Sequence, residues 1–255
     1  MDPSTNREFA GRCILVTGGA SGIGEACVRH FANAGGEVVI GDINGEVAKS
    51  LAKELSCSSV EMDVASDASV ESAAEQIRKI GSVDGLVTCA GILQGSQPPH
   101  EFDLEEYDRV VRIDMRGAYT TCRTFGTQMA QQGHGTIVNI ASITGMRSTP
   151  LHAYGPSKAA VISMTECLAA EWGRSGVRVN AVSPGYTRTP ALERAVSGRE
   201  GTVQMMAENT ALGRMIEPSE IANTVVFLTS DASSAITGAN LPVDDGWLVA
   251  GSWHT

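Results

Sequence analysis

Short apolar runs alternate with longer stretches of mixed polarity along most of the chain. The runs Cys13–Thr17, Glu37–Gly41, Ser59–Met62, Val83–Cys89, Gly135–Ile140, Arg178–Val182 and Asn240–Val243 have the length and β-branched content of strands. Ile14-Leu15-Val16 and Val38-Val39-Ile40 are apolar without a break, the pattern of a strand covered on both faces. Between the runs lie helix-length segments near 22–34, 45–55, 67–80, 103–132, 154–174 and 218–229. This alternation predicts βαβ units. The fold class is therefore α/β: a Rossmann-type, doubly wound parallel sheet of about seven strands, with helices on both faces. Asp67, with Glu71 behind it, reads as a helix cap, and Pro218 opens the last predicted helix in its first turn. No linker or repeat divides the chain, so residues 11–255 read as one domain behind a loose tail, 1–10. The connection 184–217 follows no such pattern. A connection of about 30 residues in a compact domain reads as a functional lid.

Composition narrows the function classes. The 255 residues are 42% hydrophobic and 19% charged, ordinary for a globular protein. Nineteen basic residues against 29 acidic ones give a net charge of −10, and no Lys/Arg run occurs. Nucleic-acid and membrane partners are not expected, because both need a positive footprint. Six scattered cysteines with no C-x-x-C pair read as buried thiols of a reduced, cytoplasmic protein, with no metal site. Glycine is abundant, 28 residues, and the motifs below explain part of it.

The first predicted strand runs into Thr17-Gly18-Gly19-Ala20-Ser21-Gly22-Ile23-Gly24, and a helix follows. Glycines between a strand and a helix let the backbone approach a pyrophosphate, which the free N–H groups of the helix start then bind. A Walker loop is excluded, since no Gly-Lys-Ser/Thr follows. Asp42 ends the second strand, where a carboxylate can accept both ribose hydroxyls of an adenosine. No cation stands in the loop or just after Asp42, so a 2′-phosphate would meet only repulsion. NAD is favoured over NADP. Tyr154 and Lys158 stand four apart at a helix start and share one face. Pro156 between them fits only a first turn. An ammonium beside a phenol favours the phenolate and yields an acid/base usable near neutral pH. Ser142 follows the strand Ile137-Val138-Asn139-Ile140, on the ligand edge of a parallel sheet.

These residues resemble the short-chain dehydrogenase/reductase family, in its single-domain branch of about 250 residues. The resemblance covers the chain from about Gly11 to Gly246. It rests on Thr17-Gly18-x-x-x-Gly22-Ile23-Gly24, Asp63-Val64, Ala90-Gly91, Ser142, Tyr154-x-x-x-Lys158 and the run Arg178 to Gly185. It implies Tyr154 as proton donor and acceptor, Lys158 on the nicotinamide ribose, and Ser142 orienting the substrate oxygen. It further implies cofactor contacts at Gly18, Ser21, Gly22, Ile23, Gly24, Asp42, Asp63, Val64, Ala90, Gly91, Pro184, Gly185, Thr187 and Thr189. A homotetramer, or a homodimer, is the implied assembly, and the apolar tail 244–255 with its two Trp reads as a subunit contact or a cover over a neighbouring pocket.

Two positions depart from the family pattern. Thr88-Cys89 stands where Asn-Asn is usual, and Asp114 replaces an Asn that supports a water next to Lys158. Asp114 is counted with the catalytic group, as water holder or as a charge that weakens the field of Lys158 at Tyr154. Cys89 reads as a buried thiol. His152, Ile143, Tyr186 and Leu192 are candidate substrate contacts. Ile92, Leu93, Met146, Met205 and Met206 are candidate pocket walls, and Arg188, Arg194 and Arg199 candidate anion contacts in the lid. The function expected is NAD-dependent interconversion of a secondary alcohol and a ketone. The substrate is a polyol or sugar, a cyclic alcohol, or a hydroxy acid. An NADPH-dependent ketoreductase and a non-catalytic dinucleotide-binding regulator stand as alternatives.

Overall fold

Seven strands form where the apolar runs lie: β1 (Cys13–Thr17), β2 (Glu37–Asp42), β3 (Ser58–Glu61), β4 (Val83–Thr88), β5 (Gly135–Ile140), β6 (Val177–Pro184) and β7 (Asn240–Val243). The computed structural model describes residues 7–198 and 200–250. The strand order is β3-β2-β1-β4-β5-β6-β7, and every neighbouring pair is parallel. The chain leaves β1 toward β2 and β3, then crosses back to place β4 on the other side of β1. The loops at the C-terminal ends of β1 and β4 therefore diverge, and a crevice opens between them.

Ten α-helices form among the described residues, nine connecting strands and the tenth after β7: α1 (Gly22–Asn33), α2 (Gly45–Leu55), α3 (Asp67–Ile77), α4 (Leu104–Val110), α5 (Ala118–Gln132), α6 (Tyr154–Trp172), α7 (Pro190–Val196), α8 (Thr202–Glu208), α9 (Pro218–Thr229) and α10 (Trp247–Ala250). Strand alternation sorts them into two layers. Ile14 and Val16 pack with Val28 and Phe31 of α1 and Val225 and Leu228 of α9. Cys13 and Leu15 pack with Val70 of α3, Phe125 of α5 and Ala169 of α6. Fully burying each large apolar side chain stabilises the fold by about 1.5–3 kcal/mol, so both faces hold the sheet.

Four local features differ from the sequence reading. Phe9 lies in the stretch expected to be a loose tail, yet it is fully buried. Its ring packs edge-on against Phe31 at 5.0 Å, because the segment covers the end of α1. Residues 1–6 lie outside the described residues. The segment 103–132 is not one regular helix: Val111–Gly117 makes π-helical turns between α4 and α5. Helix α3 is capped by Ser66, whose hydroxyl accepts the Ser69 N–H at 3.3 Å, and not by Asp67. The connection 184–217 carries two helices, α7 and α8. Thr189 caps α7 by accepting the Leu192 N–H at 3.2 Å, and proline follows it in the first turn. The last predicted helix is α9, closed by a reciprocal cap between Glu217 and Glu220, and α10 follows it. No helix of the described residues is long and apolar enough to cross a membrane.

Candidate active site

The glycine turn after β1 is built against the end of β4. The Thr17 hydroxyl accepts the Cys89 and Ala90 N–H groups at 3.2 and 3.3 Å and locks the two strand ends together. Gly18 has φ of +63°, and a Cβ there would stand 2.7 Å from the Ala90 backbone. Only glycine fits both constraints. A Cβ on Gly24 would overlap the Gly18 carbonyl, so α1 can pass directly under the turn. Ser21 precedes α1 in extended backbone, and its hydroxyl caps nothing. The first-turn N–H groups of α1 are thus left for a ligand at the positive end of the helix.

A cleft of about 490 Å³ opens at this turn. Gly18, Ser21, Gly22, Ile23, Asp42, Asp63, Val64, Ala90, Gly91, Asp114, Tyr154, Lys158 and Thr189 line it. Asp42 is fixed at the end of β2. Its Oδ2 accepts the Ala20 N–H at 3.0 Å and its Oδ1 the Asn44 N–H at 2.9 Å. Asp63 is held similarly by the Ala65 N–H at 2.9 Å. The free helix start, the close backbone approach at Gly18 and the fixed carboxylate at Asp42 fit a dinucleotide. Tyr154, Lys158, Ser142 and Asp114 would lie at its reactive end.

That end is a buried network. Lys158 Nζ donates to the Ile140 carbonyl at 3.1 Å and stands 3.4 Å from Asp114 Oδ1. Asp114 also accepts the Ile92 N–H, at 3.2 and 3.3 Å to its two oxygens, and its side chain is fully buried. The ammonium lies 5.4 Å from the centre of the Tyr154 ring. Ser142 Oγ accepts from the Thr144 N–H at 3.2 Å and the Thr144 hydroxyl at 3.0 Å, so its own proton is free to donate. Burial pushes the Asp114 carboxyl up, against the pull of Lys158. Burial works against the Lys158 charge, but Asp114 and Tyr154 outweigh it, and the Lys158 pKa rises. The Tyr154 phenol is raised as well. Burial is the main cause, Asp114 adds to it, and Lys158 and Ser142 pull the other way. The sequence argument expected a phenol lowered by Lys158, with Asp114 partly cancelling that effect; it left out burial, the main cause of the rise.

Several expected contacts fall elsewhere. Ser142 is off the cleft wall, but it is buried beside the Tyr154 phenol. Pro184 ends β6, and Gly185, the next residue, is pressed against Asp244. Thr187 is buried and donates to the Gly185 carbonyl at 3.0 Å, while its backbone bridges Ile216. Gly24 serves the packing of α1. His152, Ile143, Tyr186 and Leu192 are not on the cleft wall. Ile143 is core, and Tyr186 packs edge-on against Trp247 at 6.0 Å. The tail thus begins by packing on its own chain; residues 251–255, and Arg199, lie outside the described residues. Cys89 lines the cleft with its thiol pushed up to about 12, chiefly by burial, while Cys167 is exposed, against the expectation of buried thiols. The sequence reading missed Arg109, which lines the cleft, and Gln94, which holds the start of α6. No motif marks either residue.

A sequence profile for the family described as Enoyl-(Acyl carrier protein) reductase matches residues 18–248. The D-threitol dehydrogenase of Mycolicibacterium smegmatis is 37% identical over 246 residues, which cover 94% of each chain. The chain belongs to the short-chain dehydrogenase/reductase family. Members of this family are oxidoreductases that bind a nicotinamide dinucleotide. Among solved structures, this short-chain dehydrogenase/reductase matches a ribose-5-phosphate isomerase from Brucella melitensis 16M. The TM-score is 0.95 and the identity 50%, with coverage of 98% of this chain and 97% of the other. A gluconate 5-dehydrogenase from Burkholderia cenocepacia J2315, in complex with NADP and tartrate, matches with a TM-score of 0.91 and 31% identity. That match covers 97% of this chain and 99% of the other.

Proposed function

We propose that this short-chain dehydrogenase/reductase is an NAD-dependent dehydrogenase that interconverts a secondary alcohol and its ketone. The observation that carries the reading is that Tyr154 and Lys158, on one face of α6, open into the same cleft as Asp42. The bound nicotinamide supplies the hydride acceptor or donor. The chain's own residues handle the proton. In oxidation, Ser142 donates a hydrogen bond to the alcohol oxygen and orients it, and Tyr154 as phenolate takes the alcohol proton. Lys158 offsets the phenolate charge, and Asp114 holds Lys158 in place. In reduction Tyr154 returns the proton.

The choice of NAD rests on charge. The Asp42 carboxylate faces the cleft, and the cleft cations are Arg109 and Lys158, each beside a carboxylate. Arg109 donates to Glu106 at 2.6 and 2.9 Å, and Lys158 faces Asp114. A 2′-phosphate would find no unpaired cation among the described cleft residues. The same fact argues against a sugar phosphate as substrate, and so against the activity named for the Brucella structure. The named substrates of the two dehydrogenases, threitol and gluconate, are polyhydroxylated and support a polyol or hydroxy-acid substrate. Thr189, Pro190 and Ala191 on the cleft wall support a lid role for the segment 184–217.

The test is to mix the purified protein with NAD or NADP and a panel of secondary alcohols, and to follow absorbance at the reduced-nicotinamide band. Turnover with NAD at a kcat/KM well above that with NADP is expected. A preference for NADPH in the reverse direction would make it a ketoreductase. NAD binding with no turnover across the panel would make it a regulator.

A further inference from the structure

Gln94 lies in the loop after β4 and is 5% exposed. Its Oε1 accepts the Ala153 N–H at 2.8 Å and the Tyr154 N–H at 3.0 Å. Helix α6 has no side-chain cap at Ala153, so a carboxamide some 60 residues upstream closes its N-terminus. These two bonds fix which way the amide points. Turned over, its NH₂ would confront two N–H donors. Nε2 therefore faces away from the helix start. It is buried, and it has no hydrogen-bond partner among the described residues.

A buried donor without an acceptor is an unfavourable state that calls for an explanation. The surroundings supply one. Ile92 and Leu93, just before Gln94, line the cleft, as does Tyr154, whose N–H it holds; Gln94 itself is buried next to these residues and is not on the wall. Between Gly91 and Gln97 the loop is tethered at two points, Ile92 N–H to Asp114 and Gln94 Oε1 to α6. Leu93, Gly95, Ser96 and Gln97 make no hydrogen bond among the described residues. The loop can yield to a ligand without breaking a bond.

We infer that Gln94 determines specificity: its Nε2 donates a hydrogen bond to a second oxygen of the substrate, besides the oxygen that Tyr154 handles. The site then takes a diol, polyol or hydroxy acid in preference to a simple alcohol. This rests on the proposed dehydrogenase activity. It goes further by naming the group that reads the substrate.

The test uses cyclohexanol and the 1,2-, 1,3- and 1,4-cyclohexanediols with NAD, on the wild type and on Gln94→Glu. The variant keeps two acceptor oxygens for the Ala153 and Tyr154 N–H groups but has no donor. The wild type is expected to prefer its best diol over cyclohexanol by roughly tenfold or more in kcat/KM. Gln94→Glu should erase most of that ratio while NADH affinity and Tm stay unchanged. Because both substrates see the same Tyr154, the ratio is insensitive to any change in its position or pKa. A wild type that turns over cyclohexanol as well as every diol overturns the inference, whatever the variant does. So does a variant that retains the ratio. If no alcohol is oxidised at all, the proposed activity fails and the inference falls with it.

Discussion

The ammonium of Lys158 lies 3.4 Å from the buried carboxylate of Asp114 and 5.4 Å from the centre of the Tyr154 ring. In the proposed reaction Lys158 thus divides its field between a carboxylate that is always close and the Tyr154 phenolate. Asp114 raises the Tyr154 pKa directly, and it also offsets the charge that would lower it. Asp114→Asn removes the negative charge and keeps an oxygen for the Ile92 N–H. Oxidation needs the phenolate, so the rate rises as pH climbs through the Tyr154 pKa. With the carboxylate gone that pKa falls, and the acidic limb of the kcat/KM profile is expected to move to lower pH. An unmoved limb, with activity intact, would show that Asp114 only positions.

Asp42 should govern cofactor affinity. Asp42→Ala removes the carboxylate from the adenosine end of the cleft and frees the Ala20 N–H. The loss of charge-assisted bonds of about 1.4–2.8 kcal/mol would weaken NADH by about 10–100-fold, read by fluorescence titration. NADPH should weaken less, because the repulsion with its 2′-phosphate disappears. Equal losses for both nucleotides would place Asp42 outside the ribose site.

The thiols should separate sharply under alkylation. Cys89 borders the cleft, but with a pKa near about 12 only on the order of one thiol in ten thousand is thiolate at pH 8. Cys167 is exposed on α6. Iodoacetamide followed by peptide mass spectrometry should mark Cys167 first and leave activity intact. Rapid labelling of Cys89 with loss of activity would contradict the burial argument.

Phe9 is fully buried against Phe31, and neither residue lines the cleft. Phe9→Ala should destabilise the fold by about 3–5 kcal/mol through lost burial and a cavity. For a domain of this size that corresponds to a fall in Tm of roughly 6–20 °C. NADH affinity measured below the transition should not change.

The strands were legible because their apolar runs are continuous and bounded by turns. The glycine turn, Asp42, Tyr154 and Lys158 were legible because each must occupy a fixed place at a strand or helix end. What stayed hidden depends on contacts between distant segments. Gln94 carries no local signal, since its role exists only once a loop meets a helix some 60 residues further on. The raised Tyr154 pKa needs burial, which spacing does not reveal. Pro184, Gly185 and Thr187 lie in a matching motif, yet they turn toward Asp244 and Ile216 once the lid segment folds back.

The π-helical turns at Val111–Gly117 act as a phase shifter in the longest helical passage of the chain. A regular helix advances about 100° per residue, and each wide turn holds an additional residue. The faces of α4 and α5 are thereby decoupled. Within these turns Asp114 faces inward to Lys158, and Arg116, two residues on, faces outward to Asp67, as in any helix. Removing one residue from this passage would rotate one end of it by about 100° relative to the other. The bulge is thus the joint at which insertion or deletion re-aims the Asp114 carboxylate without altering a single strand.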